Sequence, residues 1–341
     1  MLYFSKLKLI IVYSVIAILF IFFSANFVNN NNFIFSKKIN LGLDLQGGSY
    51  LLLEVDSTPL IKQNLQGKLL NLRKLLKEKK IKYQNLKIIN QSITFNTADE
   101  NLKTFEKFFL NKKNLINPYY DKYKSFEMEY FIEENLVSIN FSKYGIIEIK
   151  TSSLEQSLEI VRRRIDEVGT NDPTIIKRGN DRILVELPGL DDPNRVKNLL
   201  GKTANLTFRI VSDKDSTFGT ELLSYEDGLS KLNVNKRVIM SGENLTNAEP
   251  RFDNLNNQTI VSFTLDRLGA KRFARVTTNN VGKRLAIILD NKIISAPQIN
   301  EPILGGSGQI SGDFTFQSAT DLSLLLRSGA LPAPLKIIEE R

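Results

Sequence analysis

Carboxylates and glycines are the residues of this chain whose types and spacing could support chemistry. The 341 residues include no cysteine, no histidine and no tryptophan. Without cysteine and histidine the chain has no disulfide, no Cys/His metal site and no histidine-based catalytic triad. Two adjacent carboxylates, Asp191 and Asp192, could share general acid–base work, and Asp290 is a third candidate.

Each of these carboxylates also has an ordinary structural interpretation. Asp192 precedes Pro193, a combination typical of a helix start, where aspartate caps free backbone N–H groups. Asp290 and Asn291 lie in a predicted hairpin turn, where aspartate is common. The chain has no P-loop and no G-x-S-x-G motif. We therefore predict no enzyme activity, no catalytic residue, no metal and no cofactor; a Ser/Lys or paired-acid hydrolase is the alternative that only geometry decides.

The elements that position these residues alternate between helices and short strands. Three predicted helices open at capping boxes, formed by Thr97 with Glu100, Ser153 with Gln156, and Ser318 with Asp321. The order β-α-β-β-α-β is predicted three times, over 51–141, over 136–211 and from 259 onward. The sequence thus predicts the α+β class, with one N-terminal transmembrane helix followed by ferredoxin-like modules.

The run Arg162–Arg164 falls on the helix predicted to begin at Ser153 and to end at Gly169. Three consecutive arginines cannot all share the apolar stripe of one helix. We predict that they form a solvated face, with a partner-contact patch as the alternative.

An uncharged segment near the N-terminus predicts a membrane anchor. No charged residue occurs between Leu9 and Ser36, and Lys6 and Lys8 precede the apolar run. Its length suits a bilayer span, and the positive-inside rule places the N-terminus in the cytoplasm and the bulk of the chain in the periplasm. A cleaved signal peptide is the alternative, but cleavage after Ala25 would put bulky Phe23 at the −3 position. The net charge of +9 can indicate nucleic acid, an anionic membrane surface or nothing specific, and this topology argues against nucleic acid.

A glycine-containing motif follows the predicted anchor and spacer. It reads Gly42-Leu43-Asp44-Leu45-Gln46-Gly47-Gly48, and its glycine spacing does not fit a dinucleotide-binding fingerprint. This motif closely resembles the signature of the SecD family. Four further blocks resemble that family in the same order and lie at 161–169, 185–189, 282–290 and 324–334.

The resemblance implies a role in protein export. SecD and SecF form an inner-membrane complex, similar to resistance-nodulation-division transporters, that associates with the SecYEG channel. The complex uses the proton gradient to help draw unfolded preproteins out on the periplasmic side. The expected partners are therefore SecF, SecYEG, unfolded preprotein and membrane lipid, with no nucleic acid. Further membrane spans are expected after Arg341. The alternative is a periplasmic module of a small-molecule efflux transporter of the same superfamily.

The resemblance also implies a division of the chain. Residues 1–36 would form the cytoplasmic N-terminus, the membrane helix and a spacer. A periplasmic base would combine 37–56, 143–212 and 318–341. Residues 57–142 would form an inserted α/β module, and residues 213–317 a periplasmic head.

Gly42, Leu43, Asp44, Gly47 and Gly48 are the predicted site residues. The Gly47–Gly48 pair permits a turn or bulge needed for folding, with a functional hinge as the alternative. The residues that contact preprotein are not predicted individually. Candidate surfaces for an extended chain lie around the strand Thr259–Leu265 and the loop Gly305–Gly308, where a sheet edge could accept another strand.

Overall fold

The computed structural model of the protein describes residues 6–24, 47–170, 172–189, 192–212, 219–254 and 256–341. The described helices are α1 (Lys6–Ser24), α2 (Thr58–Glu78), α3 (Asp99–Phe109), α4 (Lys143–Val168), α5 (Pro193–Gly201), α6 (Arg267–Asn279) and α7 (Phe316–Ser328), with one 3-10 turn at Gly242–Asn244.

The strands alternate with these helices over most of the described chain. They are β1 (Gly48–Val55), β2 (Gln84–Ile89), β3 (Ser92–Asn96), β4 (Tyr119–Tyr120), β5 (Ser125–Phe126), β6 (Met128–Glu133), β7 (Leu136–Phe141), β8 (Thr174–Arg178), β9 (Arg182–Pro188), β10 (Leu206–Ile210), β11 (Thr220–Ser224), β12 (Lys231–Asn235), β13 (Met240–Ser241), β14 (Leu245–Asp253), β15 (Gln258–Leu265), β16 (Leu285–Leu289), β17 (Lys292–Ser295), β18 (Ser307–Phe314) and β19 (Leu335–Glu340). The predicted α+β class is confirmed. The predicted transmembrane helix is not confirmed. Among the described residues, no helix is both long enough and apolar enough to cross a membrane.

The first sheet, which we call the base sheet, has the order β19-β1-β9-β8 with antiparallel neighbours throughout. Helices α4 and α5 contribute Leu154, Val161 and Leu200 to the core that covers this sheet. Each such side chain contributes roughly 1.5–3 kcal/mol when it leaves water. The first and last strands of the described sheet region, β1 and β19, lie side by side.

The inserted unit, residues 58–141, has its own sheet of order β2-β3-β7-β6 and its own core. That core combines aliphatic side chains with a cluster of aromatic rings, in which Phe105 and Phe109 stack at 5.0 Å and Phe95 lies edge-on to Phe105 at 5.5 Å. Helix α4 contributes Ile149 to this core and Leu154 to the core of the base sheet, so it joins the two units.

A third unit, residues 206–328, which we call the head, contains a four-stranded sheet of order β13-β10-β16-β17 and a three-stranded sheet of order β14-β15-β18. Both sheets and the helices α6 and α7 share one core, which includes Phe208, Phe263, Phe273 and Leu325. The hairpin β11-β12 packs through Val234 against the other face of β16.

Strand pairing departs from the three β-α-β-β-α-β units predicted along the chain. The strand predicted to begin the first unit, β1, pairs with β9 and β19 rather than with β2 or β3. The strands flanking the second unit, β7 and β10, belong to the inserted sheet and the head, and in the third unit β15 and β16 lie in different sheets. Local patterns fix which segments are strands, whereas pairing depends on contacts between segments far apart in sequence.

Two helices begin at residues other than those predicted. Helix α4 begins ten residues before Ser153, because Ser142 caps it by accepting a hydrogen bond of 3.0 Å from the backbone N–H of Gly145. Ser153 is buried inside the helix. Helix α7 is capped by Thr315, whose hydroxyl accepts from the N–H of Ser318 at 3.1 Å, so Ser318 is inside the first turn.

The third capping box is absent as well. Helix α3 begins after Ala98 without a side-chain cap, and the hydroxyl of Thr97 donates instead to the carbonyl oxygen of Lys82 at 2.8 Å. Ser153 and Ser318 lie inside their helices and Thr97 binds a distant carbonyl oxygen, so residue type and spacing alone did not identify the cap.

Candidate functional site

The chain passes between the base sheet and the head at two adjacent segments, 202–205 and 329–331, which we call the crossing. The outgoing segment leads from α5 into β10, and the returning segment leads from α7 towards β19. The backbone N–H of Leu331 donates to the carbonyl oxygen of Thr203 at 2.8 Å, so the two segments pair directly. These two segments are the covalent connections between the base sheet and the head.

A single arginine holds both segments of the crossing. Arg164 of α4 is completely buried, and its guanidinium donates to the carbonyl oxygens of Leu199 at 2.6 Å and Gly329 at 3.2 Å. It also donates to the carbonyl oxygens of Lys202 and Thr203. The guanidinium carries five donors in a rigid fork, which suits several carbonyls in fixed positions.

Burial lowers the pKa of the Arg164 guanidinium to about 10, and the charge of Asp290 acts in the opposite direction. The group therefore stays charged near neutral pH. The prediction that Arg162–Arg164 form a solvated face is wrong for Arg164. It fits Arg162, which is exposed and pairs with Glu159 at 2.9 Å.

Asp290 holds the outgoing segment from the other side. Its carboxylate accepts hydrogen bonds from the backbone N–H groups of Ala204 at 3.1 Å and Asn205 at 2.9 Å, and from the hydroxyl of Thr203. Ala204 has a φ of +59°, an unfavourable conformation for a residue with a side chain, and these bonds hold it there. The predicted hairpin turn is confirmed, since Asp290 and Asn291 both have positive φ between β16 and β17.

Charged side chains also join the base to the head next to the crossing. Arg327 at the end of α7 donates to both carboxylate oxygens of Glu167 on α4, and to the carbonyl oxygen of Ala248 on β14 at 2.6 Å. Arg195 of α5 binds Asp321 of α7 through two hydrogen bonds of 3.0 and 2.9 Å. The side chains of α7 lie in the head core; the assignment of 318–341 to the base stays a prediction.

The Gly47–Gly48 pair begins the base sheet. Gly47 has a φ of +71° and Gly48 a φ of +149°, conformations that favour glycine. The N–H of Gly189 donates to the carbonyl oxygen of Gly47 at 3.0 Å, where β1 begins its pairing with β9. A side chain at Gly47 would meet nothing within 4 Å, so backbone conformation rather than space requires glycine there. Gly42, Leu43 and Asp44 lie outside the described residues.

A cavity of about 280 Å³ lies in the head between its two sheets. Phe208, Phe263 and Phe273 form its apolar floor, with ring centroids 5.7–6.3 Å apart in edge-on or tilted arrangements. Its rim is polar and includes Gln298, Asn300, Glu301 and Gln309. The two surfaces predicted for client contact meet here, because Phe263 of β15 and Gly308 of β18 both line the cavity.

The carboxylates considered first for catalysis have structural roles wherever the structure describes them. Asp192 caps α5 by accepting from the N–H of Arg195 at 3.0 Å, as predicted, and Asp290 binds the backbone of the crossing. Asp191 lies outside the described residues. Within the described ranges, no group of three potential metal-ligating side chains is found.

Family models match three parts of the chain. The model for the SecD/SecF GG motif matches residues 33–59, that for the N-terminal part of the SecDF P1 domain matches 154–213, and that for the SecDF P1 head subdomain matches 220–333. The protein translocase subunit SecD of Rickettsia bellii is 42% identical over 313 residues, which cover 89% of this chain and 58% of that protein.

The chain belongs to the SecD family. SecD of Acetobacter pasteurianus is similar at 40% identity over 314 residues, covering 89% of this chain and 59% of that protein. This SecD-family chain therefore spans about three fifths of the length of these curated relatives. A crystal structure of SecDF in a super-membrane-facing form matches the fold with a TM-score of 0.54 at 24% identity, covering 96% of this chain and 35% of that one.

The SecD motif blocks that are separate in the sequence meet in the structure. Arg164, Asp290 and Gly329 come from three different blocks and converge at the crossing. Gly47 and Gly189 come from two others and meet at the start of β1. Sequence reasoning found the blocks but missed the role of Arg164. Arg164 is three residues after Val161 and four before Val168, which places it on the apolar stripe of the helix, and this spacing was the signal available.

Proposed function

We propose that this chain is the N-terminal part of a Sec protein translocase subunit that assists protein export by engaging an unfolded preprotein with its head. The observation that carries this proposal is the head cavity, which combines an aromatic floor with the free edge of a sheet. Family membership supports the same role. The translocase role is that of the longer curated relatives, and it is proposed for this chain on that similarity.

The cavity suits an unfolded chain because it offers contacts that do not depend on sequence. Aromatic faces accept apolar side chains of many shapes. Strand β18 pairs on one side with β15 and forms the edge of its sheet, so its other side presents backbone groups to an added strand. Gly308 and Gln309 of this edge strand line the cavity, so backbone pairing and side-chain burial can occur together.

Membrane attachment and partners extend this proposal. Helix α1 exposes apolar side chains such as Ile10, Ile16 and Phe20, which supports an N-terminal anchor with the folded units in the periplasm. We extend the proposal to association with SecF and SecYEG and to use of the proton gradient, which the resemblance to the SecD family implies. The base sheet, with α4 and α5 and the order β19-β1-β9-β8, supports a ferredoxin-like base.

Site-specific photocrosslinking tests client engagement. A photoreactive residue replaces Gln309 on the cavity rim in the full-length subunit, within membranes that hold an arrested secreting chain. Leu229, 90% exposed in the head and outside the cavity lining, is the matched control position. We expect adducts with the secreting chain at Gln309 and few at Leu229. Equal labelling at both positions, or labelling of the subunit alone, would contradict the proposal.

A further inference from the structure

The outer face of α6 is strongly basic. Between positions 267 and 289 the sequence has six cations and no carboxylate. Four of these cations, Arg267, Lys271, Arg272 and Arg275, lie on α6 and are exposed. The segment is thus more basic than the chain as a whole, in which 46 cations face 37 carboxylates.

Helix geometry gathers these cations around one apolar side chain. The opposite face of α6 is buried through Gly269, Phe273 and Thr277. With 3.6 residues per turn, positions three, four and seven after Leu268 lie on its own face, and these are Lys271, Arg272 and Arg275. Leu268 is 69% exposed at the centre of this group. We call Arg267, Leu268, Lys271, Arg272 and Arg275 the α6 surface.

Most cations of the α6 surface form no salt bridge within the described part of the chain. Within the described part of the chain, no salt bridge involves Arg267, Lys271 or Arg275, whereas Arg195 and Arg327 of the crossing are paired. Nearby Asp266 caps α6, accepting from the N–H of Gly269 and the amide of Asn244, and it attracts Arg272. Positive charge therefore remains available on the outer face.

A second exposed leucine lies beside the same helix. The loop that carries Leu304 is fixed to α6 at two points: the N–H of Ile303 donates to the hydroxyl of Thr277 at 3.0 Å, and Gly306 lies against Ala270. Leu304 is 73% exposed. A single exposed leucine is ordinary at a protein surface, but here two of them lie at the same basic helix.

We propose that the α6 surface, with Leu304, binds an anionic lipid surface. Lysine and arginine attract anionic headgroups, and apolar side chains between them insert at the headgroup–acyl boundary. Leu268 and Leu304 supply the apolar part, and the unpaired cations supply the charge. The carboxylates of an acidic polypeptide would pair with the cations, but they would not bury the two exposed leucines.

This surface is separate from the head cavity. Phe273 of α6 points into the cavity, whereas the cations lie on the outer face of the same helix. Lipid binding by the outer face thus leaves the cavity open. The inference does not rest on the proposed client binding, and either one can fail alone.

Fluorescence on single-cysteine variants tests the proposal, since the chain contains no cysteine of its own. Leu268→Cys carries a polarity-sensitive label in the full chain, which is mixed with vesicles of phosphatidylcholine alone or of phosphatidylcholine and phosphatidylglycerol in equal parts. Leu229→Cys, also exposed but elsewhere in the head, is the control. We expect a blue shift, and quenching by doxyl-labelled lipid, at position 268 only in the anionic vesicles.

Charge variants complete the test. Adding Lys271→Gln and Arg275→Gln to Leu268→Cys should weaken the lipid-dependent signal about fivefold for each cation removed. Unchanged thermal unfolding would show that these exposed substitutions leave the fold intact. Three outcomes would overturn the proposal. The signal at position 268 could equal that at position 229, or it could be the same in neutral vesicles. It could also appear only when an unfolded acidic polypeptide replaces the vesicles.

Discussion

The guanidinium of Arg164 donates a hydrogen bond of 3.2 Å to the carbonyl oxygen of Gly329, a residue 165 positions further along the chain. The same guanidinium binds the carbonyl oxygens of Lys202 and Thr203 on the outgoing segment, and that of Leu199 in α5. One buried side chain therefore fixes both segments of the crossing to helix α4. Arg164 is thus one of the side chains that join the head to the base, together with Arg327 and Arg195.

Replacing Arg164 with methionine should destabilise the protein. Methionine fills a similar volume but leaves four carbonyl oxygens without this donor. We expect a loss of about 2–5 kcal/mol in the free energy of unfolding, because buried acceptors without a partner are costly. Urea denaturation monitored by circular dichroism measures this loss.

Arg163→Met is the matched control, since the adjacent Arg163 is exposed and should lose less than about 0.5 kcal/mol. Arg164→Lys should fall between the two, because an ammonium group keeps the charge but reaches fewer carbonyls. Equal stability of the Arg163 and Arg164 variants would show that the crossing does not depend on this side chain.

Gly308→Ala should disturb the floor of the head cavity. A Cβ atom at position 308 would lie 2.4 Å from Cζ of Phe263, so the phenyl ring must shift. We expect a loss of about 1–3 kcal/mol in unfolding free energy, as for other overpacked sites. Gly305→Ala is the control because its Cβ would meet nothing within 4 Å. If thermal unfolding places both variants at the wild-type temperature, the close packing of β18 on Phe263 is disproved.

Gly47→Val should impair folding or export. The φ of +71° at Gly47 is strained for valine, at a cost of about 1–3 kcal/mol, whereas asparagine tolerates this conformation better. Thermal unfolding and the periplasmic yield of an exported protein are the two measurements, with Gly47→Asn as the milder comparison. If Gly47 serves as a structural turn, the valine variant should lose stability. If Gly47 serves as a functional hinge, the variant should lose export while its thermal unfolding stays normal. A valine variant that is normal in both measurements would reject both interpretations.

Acidification should weaken the start of α6 through Asp266. The N–H of Gly269, followed by the amide of Asn244, holds the pKa of this carboxyl below its usual value of 3.8. A depressed pKa in the folded state gives stability that is present above the unfolded pKa and is lost as pH falls through the folded pKa. Asn is a comparable cap without a titrating group. The difference in melting temperature between wild type and Asp266→Asn should therefore shrink between neutral pH and about pH 3.

Asp121→Asn, an exposed substitution in a turn, controls for the loss of one surface carboxylate. A difference between wild type and Asp266→Asn that stays constant across this pH range would mean that the Asp266 carboxylate contributes nothing to the stability of α6.

Local chemistry was readable from the sequence where the deciding atoms are neighbours. Asp192 caps α5, Gly169 ends α4 in a left-handed conformation, and Asp290–Asn291 form the hairpin turn, all as predicted. In each case the partners lie within a few residues, so residue type and spacing contain most of the information.

Contacts between residues far apart in the sequence could not be predicted in the same way. Strand β1 resembles the opening strand of the inserted unit, yet it pairs with β9 and β19, across insertions that local patterns do not reveal. The burial of Arg164 depends on carbonyls from both segments of the crossing, which come together only in the complete fold. The cavity likewise requires two sheets whose strands alternate in sequence.

The pairing of β1 with β19 has a consequence for biosynthesis. Leu51 pairs with Glu340, so the sheet that begins the folded region acquires its edge strand only when the last described residues have been made. The inserted unit and the head each close on contacts from continuous stretches and can fold earlier, as the chain emerges. Until then β1 exposes an unpaired backbone edge, so the newborn polypeptide passes through a stage in which this protein itself needs protection from aggregation.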